Sequence, residues 1–247
     1  MLKDFTKEQY DIIIQAGQSN SQGCGFGAIE KPFEVNDRIW QMNQDFTISP
    51  AQEVVWGNNA ICQFALPFAA RYVAEGRLAE GRKLLVIRAA VGGTGFLDKH
   101  WGMTDDLYLQ MMEMTKTVLC LNAGNRLVAF LWHQGETDAS LKATCEGHYN
   151  RLMTLVKSVT STFDCEKLPF IAGDFVQHWK GLNLAICEPV IEAMRGVCRD
   201  LPKGAFVETD GLLSNDQTSG GEDTIHFSRQ ALMELGDRYF EKYALLV

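Results

Sequence analysis

The sequence predicts an α/β fold built on a parallel sheet. Apolar runs of strand length alternate with amphipathic stretches of helix length, the pattern of stacked βα units. The runs are continuous instead of alternating apolar with polar, as parallel strands buried on both faces require. Strands are expected at Tyr10 to Gln15, Lys83 to Ala89, Leu127 to Trp132 and Pro169 to Asp174, with weaker ones at Arg38 to Met42 and Ala205 to Glu208. One helix is read from Tyr108, Met111, Met112, Thr115, Val118 and Leu119, and another from Leu152, Leu155, Val156, Val159 and Phe163, whose apolar residues recur at three and four. In the last helix Ser228 can cap a stripe of Leu232, Leu235, Gly236, Tyr239, Phe240 and Tyr243. Pro67 and Pro189 lie in helical patterns, and because proline is tolerated mainly in a first turn, helices are expected to begin there. Gly211 to Asp223, rich in Gly, Ser, Asn, Asp and Thr, reads as a surface loop. Without repeats or a linker, residues 1–247 form one domain.

Composition narrows the function. A chain of 247 residues, 46% apolar and 22% charged, can bury a full core and is not disordered, collagenous or a coiled coil. Its longest uninterrupted apolar run, Leu127 to Trp132, is far short of the roughly 18 residues a membrane span needs. Lys3, Asp4, Lys7 and Glu8 interrupt the N-terminus, so no signal peptide is expected and the reading is cytoplasmic unless a leader was removed. Seven cysteines with no Cys-x-x-Cys pair argue for reduced thiols over a disulfide framework or structural zinc. The net charge of -8 and the lack of any Lys/Arg run exclude a nucleic-acid surface and point to a small, neutral or weakly charged ligand in a pocket. In an open α/β sheet that pocket lies beyond the carboxyl ends of the strands.

Four segments at such positions carry polar or glycine-rich sequence. Gly17-Gln18-Ser19-Asn20 follows the first strand; a serine at this turn can present its hydroxyl above the sheet with its own N–H free for an oxyanion, although a phosphate loop or an ordinary turn also fits. The P-loop and dinucleotide signatures are absent. Gly92-Gly93-Thr94 lets the backbone approach a ligand or simply makes a tight turn, and leads to His100-Trp101. His133-Gln134-Gly135-Glu136-Thr137-Asp138 ends a buried strand on polar groups that need water, one another or a ligand. Helix capping by Thr137 or Asp138 accounts for part of it, and a metal on His133, Glu136 and Asp138 is the lesser reading. In Asp223-Thr224-Ile225-His226 the three-residue spacing lets the carboxylate fix the imidazole tautomer, leaving the other ring nitrogen to act as base.

Taken in this order, these segments resemble the four blocks of the SGNH hydrolase superfamily, specifically its carbohydrate acetylesterase branch of sialate O-acetylesterases and family-six acetylxylan esterases. Gln18 and Gln134 depart from the superfamily's general Asp and Asn and match that branch. The resemblance implies a three-layer αβα fold with a flavodoxin-like parallel sheet, Ser19 as nucleophile, His226 as base and Asp223 as its orienting acid. It also implies an oxyanion hole from the N–H groups of Ser19 and Gly93 with the Gln134 amide. Gln18, Asn20, Gly92, Thr94, Trp101, His133 and Glu136 are expected to contact substrate or support these groups, and Glu136 is the alternative acid. Trp101, Trp132 and Trp179 could stack on sugar rings or pack in the core. The implied reaction removes O-acetyl groups from carbohydrates through an acetyl-enzyme, with no metal or organic cofactor and no nucleic-acid or membrane partner. The alternatives are an SGNH esterase or thioesterase for other short acyl groups and an inactive sugar-binding relative.

Overall fold

The computed structural model describes residues 3–247. Its central sheet has seven strands in the order β10-β9-β8-β1-β7-β3-β4. These are β1 (Tyr10–Gly17), β3 (Ile39–Met42), β4 (Ile48–Pro50), β7 (Lys83–Arg88), β8 (Arg126–His133), β9 (Phe170–Gly173) and β10 (Gly204–Val207). All neighbours pair in parallel except β4, which runs antiparallel to β3 at the edge. Without the β3–β4 extension, the order is the flavodoxin-like 2-1-3-4-5.

Every strand read from the sequence forms within about two residues of its expected ends. The connections from β7 to β8, β8 to β9 and β9 to β10 step the same way along the sheet, so right-handed crossovers put their helices on one face. These are α3 (Asp106–Leu121), α5 (Cys145–Thr162) and α7 (Leu184–Asp200). On the other face α2 (Ala65–Ala74) packs against α9 (Arg229–Ala244), where Phe68 meets Phe240 and Tyr243 edge-on. The result is a three-layer αβα sandwich. Ser228 caps α9 by accepting from the Ala231 N–H, and the whole expected stripe of that helix is buried.

Two expectations are corrected and one element is new. Pro189 lies inside α7 and does not begin it. Ala185, whose carbonyl the proline deprives of a helical donor, is exposed, so water can take that donor's place. Pro67, by contrast, sits in the first turn of α2. Within Gly211 to Asp223 there is a short helix, α8 (Asn215–Ser219), started by a capping box between Ser214 and Gln217. A small antiparallel sheet, β2-β6-β5, was not foreseen: β2 (Gly25–Ala28), β6 (Asn59–Cys62) and β5 (Val54–Trp56). Its strands are only three or four residues long: β2 and β6 carry glycine or asparagine among their apolar residues, and β5, Val54-Val55-Trp56, is apolar but exposed. All seven cysteines are free thiols, and among the described residues no helix is long and apolar enough to cross a membrane.

The amino ends of the strands are tied by Asp11, whose side chain has no exposed surface. Its carboxylate accepts from Arg82 Nε at 2.7 Å, Arg126 Nε at 2.8 Å and the Tyr72 hydroxyl at 2.7 Å. Burial pushes this carboxyl up, but the bonds from Arg126, Tyr72 and Arg82 outweigh it and hold the group below its ordinary 3.8. A carboxyl depressed on folding contributes stability that is complete above its unfolded value and disappears as pH falls through the folded one. Asp11→Asn is therefore expected to cost about 2–3 kcal/mol at neutral pH and less below roughly pH 4. Urea unfolding at pH 7 and pH 3.5 checks this; an equal cost at both would remove the carboxylate charge from the explanation.

Candidate active site

The carboxyl ends of β1 and β8 meet where the chain order reverses, the place at which open α/β sheets bind ligands. Gly17 ends β1 at φ 132°, and a β-carbon there would overlap the His133 carbonyl oxygen. Only glycine lets the strands end this close. The Gln18 N–H donates to that same carbonyl at 3.0 Å, and the chain turns into the single helical turn α1 (Ser19–Gln22).

The residues flanking Ser19 anchor it in two directions. Gln18 Oε1 accepts from the Thr137 N–H at 3.1 Å, capping the amino end of α4 (Glu136–Ser140). Asn20 Nδ2 donates to Glu136 Oε1 at 2.8 Å and to the Ile225 carbonyl at 3.0 Å, while its Oδ1 accepts from the Phe227 N–H at 3.1 Å. The backbone on both sides of His226 is thus bound to the residue next to Ser19. Both side chains are buried, so Gln18 and Asn20 brace the site without facing its opening.

His226 Nδ1 lies 2.8 Å and 3.0 Å from the two carboxylate oxygens of Asp223. The ring proton on Nδ1 is fixed by this contact, and Nε2 is left with its lone pair. Asp223 is itself held: Asn215 Nδ2 donates to its Oδ2 at 2.9 Å and to the Cys24 carbonyl at 3.0 Å, and Asn215 Oδ1 accepts from the Phe26 N–H at 3.1 Å. Sequence reading missed Asn215, although an asparagine at the start of a capping box eight residues before the acid was a local signal. Ser19 Oγ and His226 Nε2 share no hydrogen bond here; such bonds commonly tighten only when substrate is bound.

The second segment borders Ser19 directly. The Gly92 N–H donates to Gln22 Oε1 at 2.8 Å, and a β-carbon on Gly92 would lie 3.5 Å from that of Ser19. Gly93 adopts φ 72° with open space in front of it. Among the described residues, the N–H groups of Ser19 and Gly93 have no acceptor. Thr94 is buried, donating to the Val91 carbonyl at 2.7 Å and accepting from Trp101 Nε1 at 3.0 Å.

Asp138 joins the second segment to the third. Its carboxylate accepts from the N–H groups of Phe96 and Leu97 and, at 2.8 Å, from Gln134 Nε2. Directed this way, Asp138 does not converge with His133 and Glu136 on a metal. Gln134 is fully buried, and its second amide proton faces Gln18 Oε1 at a long 3.4 Å. His133 is also fully buried and is held down to about 3 by that burial, so it is neutral. The Tyr239 hydroxyl donates to the Trp132 carbonyl at 2.8 Å, so His133 Nδ1, 3.0 Å away, is the donor to the tyrosine oxygen. Burial raises the Glu136 carboxyl above its usual range, offset only in part by the Asn20 bond. Trp101, Trp132 and Trp179 all lie in the core, which decides for core packing over stacking on a sugar; the exposed tryptophan is Trp56, at 63%.

The family described as carbohydrate esterase, sialic acid-specific acetylesterase, matches residues 9–245. The chain belongs to that family. A probable carbohydrate esterase of Arabidopsis thaliana is 23% identical over 91% of this chain and 86% of its own length. Among solved structures, NanS superposes with a TM-score of 0.78 at 16% identity, covering 96% of this chain and 97% of that one. A carbohydrate acetylesterase from Xanthomonas citri gives 0.63 at 14% identity over 96% of this chain and 56% of its own. These likenesses establish the SGNH-type fold. Membership of the family supports an esterase acting on carbohydrate acetyl groups.

In this family member Asn20 should be a mechanical keystone. Asn20→Ala leaves Ile225, Phe227 and Glu136 without their partner and is expected to cost about 2–4 kcal/mol. It should also speed hydrogen exchange at the Phe227 amide. An unchanged melting temperature with unchanged Phe227 exchange would contradict that role.

Proposed function

We propose that this protein is a serine esterase that releases acetate from O-acetylated carbohydrates, with Ser19, His226 and Asp223 as its triad. The observation that carries the reading is the Asp223–His226 contact at 2.8 Å, on a segment that Asn20 binds to the turn bearing Ser19. His226 Nε2 takes the Ser19 hydroxyl proton as Oγ attacks the acetyl carbonyl. The resulting oxyanion is met by the N–H groups of Ser19 and Gly93, and Gln134 supplies the third donor. One Gln134 proton is committed to Asp138, and the other has only the weak Gln18 contact to give up. His226 then protonates the departing sugar oxygen, and water, activated by the same nitrogen, frees acetate from Ser19.

Asp223 is the acid in this reading because both its oxygens meet the ring, whereas Glu136 is raised by burial and accepts from Asn20. Gln18, Gly92, Thr94, His133 and Glu136 act through the backbone and side chains they hold. Trp101, fully buried, acts through Thr94, to which its Nε1 donates at 3.0 Å.

Ser19→Ala should abolish acetate release and adduct formation with a fluorophosphonate probe while leaving the circular dichroism spectrum unchanged. A probe adduct on another residue, read by intact mass and peptide mapping, would overturn the assignment. Asp223→Asn should lower kcat by about a hundredfold or more with a much smaller change in KM, because it disturbs the tautomer of the base. Glu136→Gln should lose less. The reverse order of losses would make Glu136 the acid.

A further inference from the structure

We propose that Arg88 is an anion subsite that receives a carboxylate carried by the sugar half of the ester. This rests on the esterase reading of Ser19 and adds to it the charge of the substrate. Arg88 ends β7, beside a cavity of about 330 Å³ at the carboxyl ends of β1 and β7 and the turn after β3. Gln22, Asn43, Gln44 and Asp45 complete most of its polar wall.

The guanidinium is only half provided for. Its Nε donates to Gln63 Oε1 at 3.1 Å and its Nη2 to the Gln22 carbonyl at 2.9 Å, both neutral acceptors. Arg82, Arg126 and Arg229 each have a carboxylate within 2.8 Å. Arg88 has none within ion-pair distance among the described residues, and Nη1 has no partner there. Asp45, the acid on the cavity wall, turns its carboxylate to the Thr47 N–H at 3.0 Å and the Thr47 hydroxyl at 2.6 Å. Desolvation lowers the pKa of Arg88 with no neighbouring charge to balance it. A half-buried cation without a counter-charge is costly unless a ligand supplies one. The planar fork, with Nη1 and the second Nη2 proton unused, suits the two oxygens of a carboxylate.

The position suits a substrate held at Ser19. Gln22 lies one helical turn from Ser19 on α1; its carbonyl binds Arg88, and its side-chain oxygen binds the Gly92 N–H beside the proposed oxyanion donor Gly93. An acetyl group at Ser19 therefore places the rest of a sugar within reach of the cavity. A ring bearing both an acetylated hydroxyl and a carboxylate, a nonulosonic or a uronic acid, fits that arrangement.

The test compares kcat/KM on O-acetylated N-acetylneuraminic acid and on O-acetylated glucuronic acid, each against its own methyl ester, for the native protein, Arg88→Gln and Arg88→Lys. The native protein should prefer one acid over its methyl ester by roughly tenfold to a hundredfold, chiefly in KM. Arg88→Gln should bring that ratio close to one, and Arg88→Lys should restore part of it. The pair showing the preference identifies the sugar class. A ratio near one for both pairs in the native protein, or a ratio that survives Arg88→Gln, overturns the proposal. The second outcome would make Arg88 a brace between Gln22 and Gln63, since such a brace affects acid and ester alike. If no ester is hydrolysed, the esterase reading fails separately. Calorimetric titration of the Ser19→Ala protein with the two free acids and their methyl esters then decides the subsite: Arg88-dependent preference for an acid supports it, and equal affinities overturn it.

Discussion

Gln18 and Asn20 stand on either side of Ser19 and send their amides into different parts of the protein. Gln18 reaches α4, at the end of β8, and Asn20 reaches both Glu136 and the backbone around His226. These bonds, together with the Gln18 N–H on the His133 carbonyl, fix three chain segments against one another. A one-turn helix such as α1 has too few internal bonds to hold its own position. The position of Ser19 is therefore a property of the amides around it more than of α1 itself.

A second layer of fixed groups surrounds the first. Asp138 takes the N–H groups of Phe96 and Leu97 and so sets the loop carrying Gly92 and Gly93, while Asn215 sets Asp223. His133 supports the strand end through Tyr239, which α9 supplies. Asp138, Asn215, His133 and Tyr239 are themselves buried. Each is bonded to another fixed group, so the polar residues around Ser19 are held in place by the fold itself.

Much of this was legible in the sequence, for a physical reason. Parallel strands buried on both faces must be continuously apolar, and polar residues at their ends stand out because burial would otherwise penalise them; hence β1, β7, β8 and β9 and the segments following β1, β7 and β8 could all be read. The Asp223–His226 pair was legible because its contact is local. What escaped depends on distant partners. Asn20 and Ile225 are 205 positions apart, and nothing near Asn20 announces which carbonyl it will meet. The tryptophans were ambiguous because stacking on a sugar and packing in a core call for the same side chain; burial decided. Pro189 misled because local sequence does not reveal that Ala185 faces solvent.

The Asn20 bridge also bears on the order in which the molecule is made. Contacts 205 and 207 positions apart close almost the largest loop this chain can form, and such closures are entropically late events in folding. During synthesis the segments bearing Ser19, Gly93 and Gln134 emerge well before the one bearing Asp223 and His226. A nascent chain can thus pair β1, β7 and β8 before the turn ahead of α9 exists, and Asp223 and His226 join Ser19, Gly93 and Gln134 only when that turn docks.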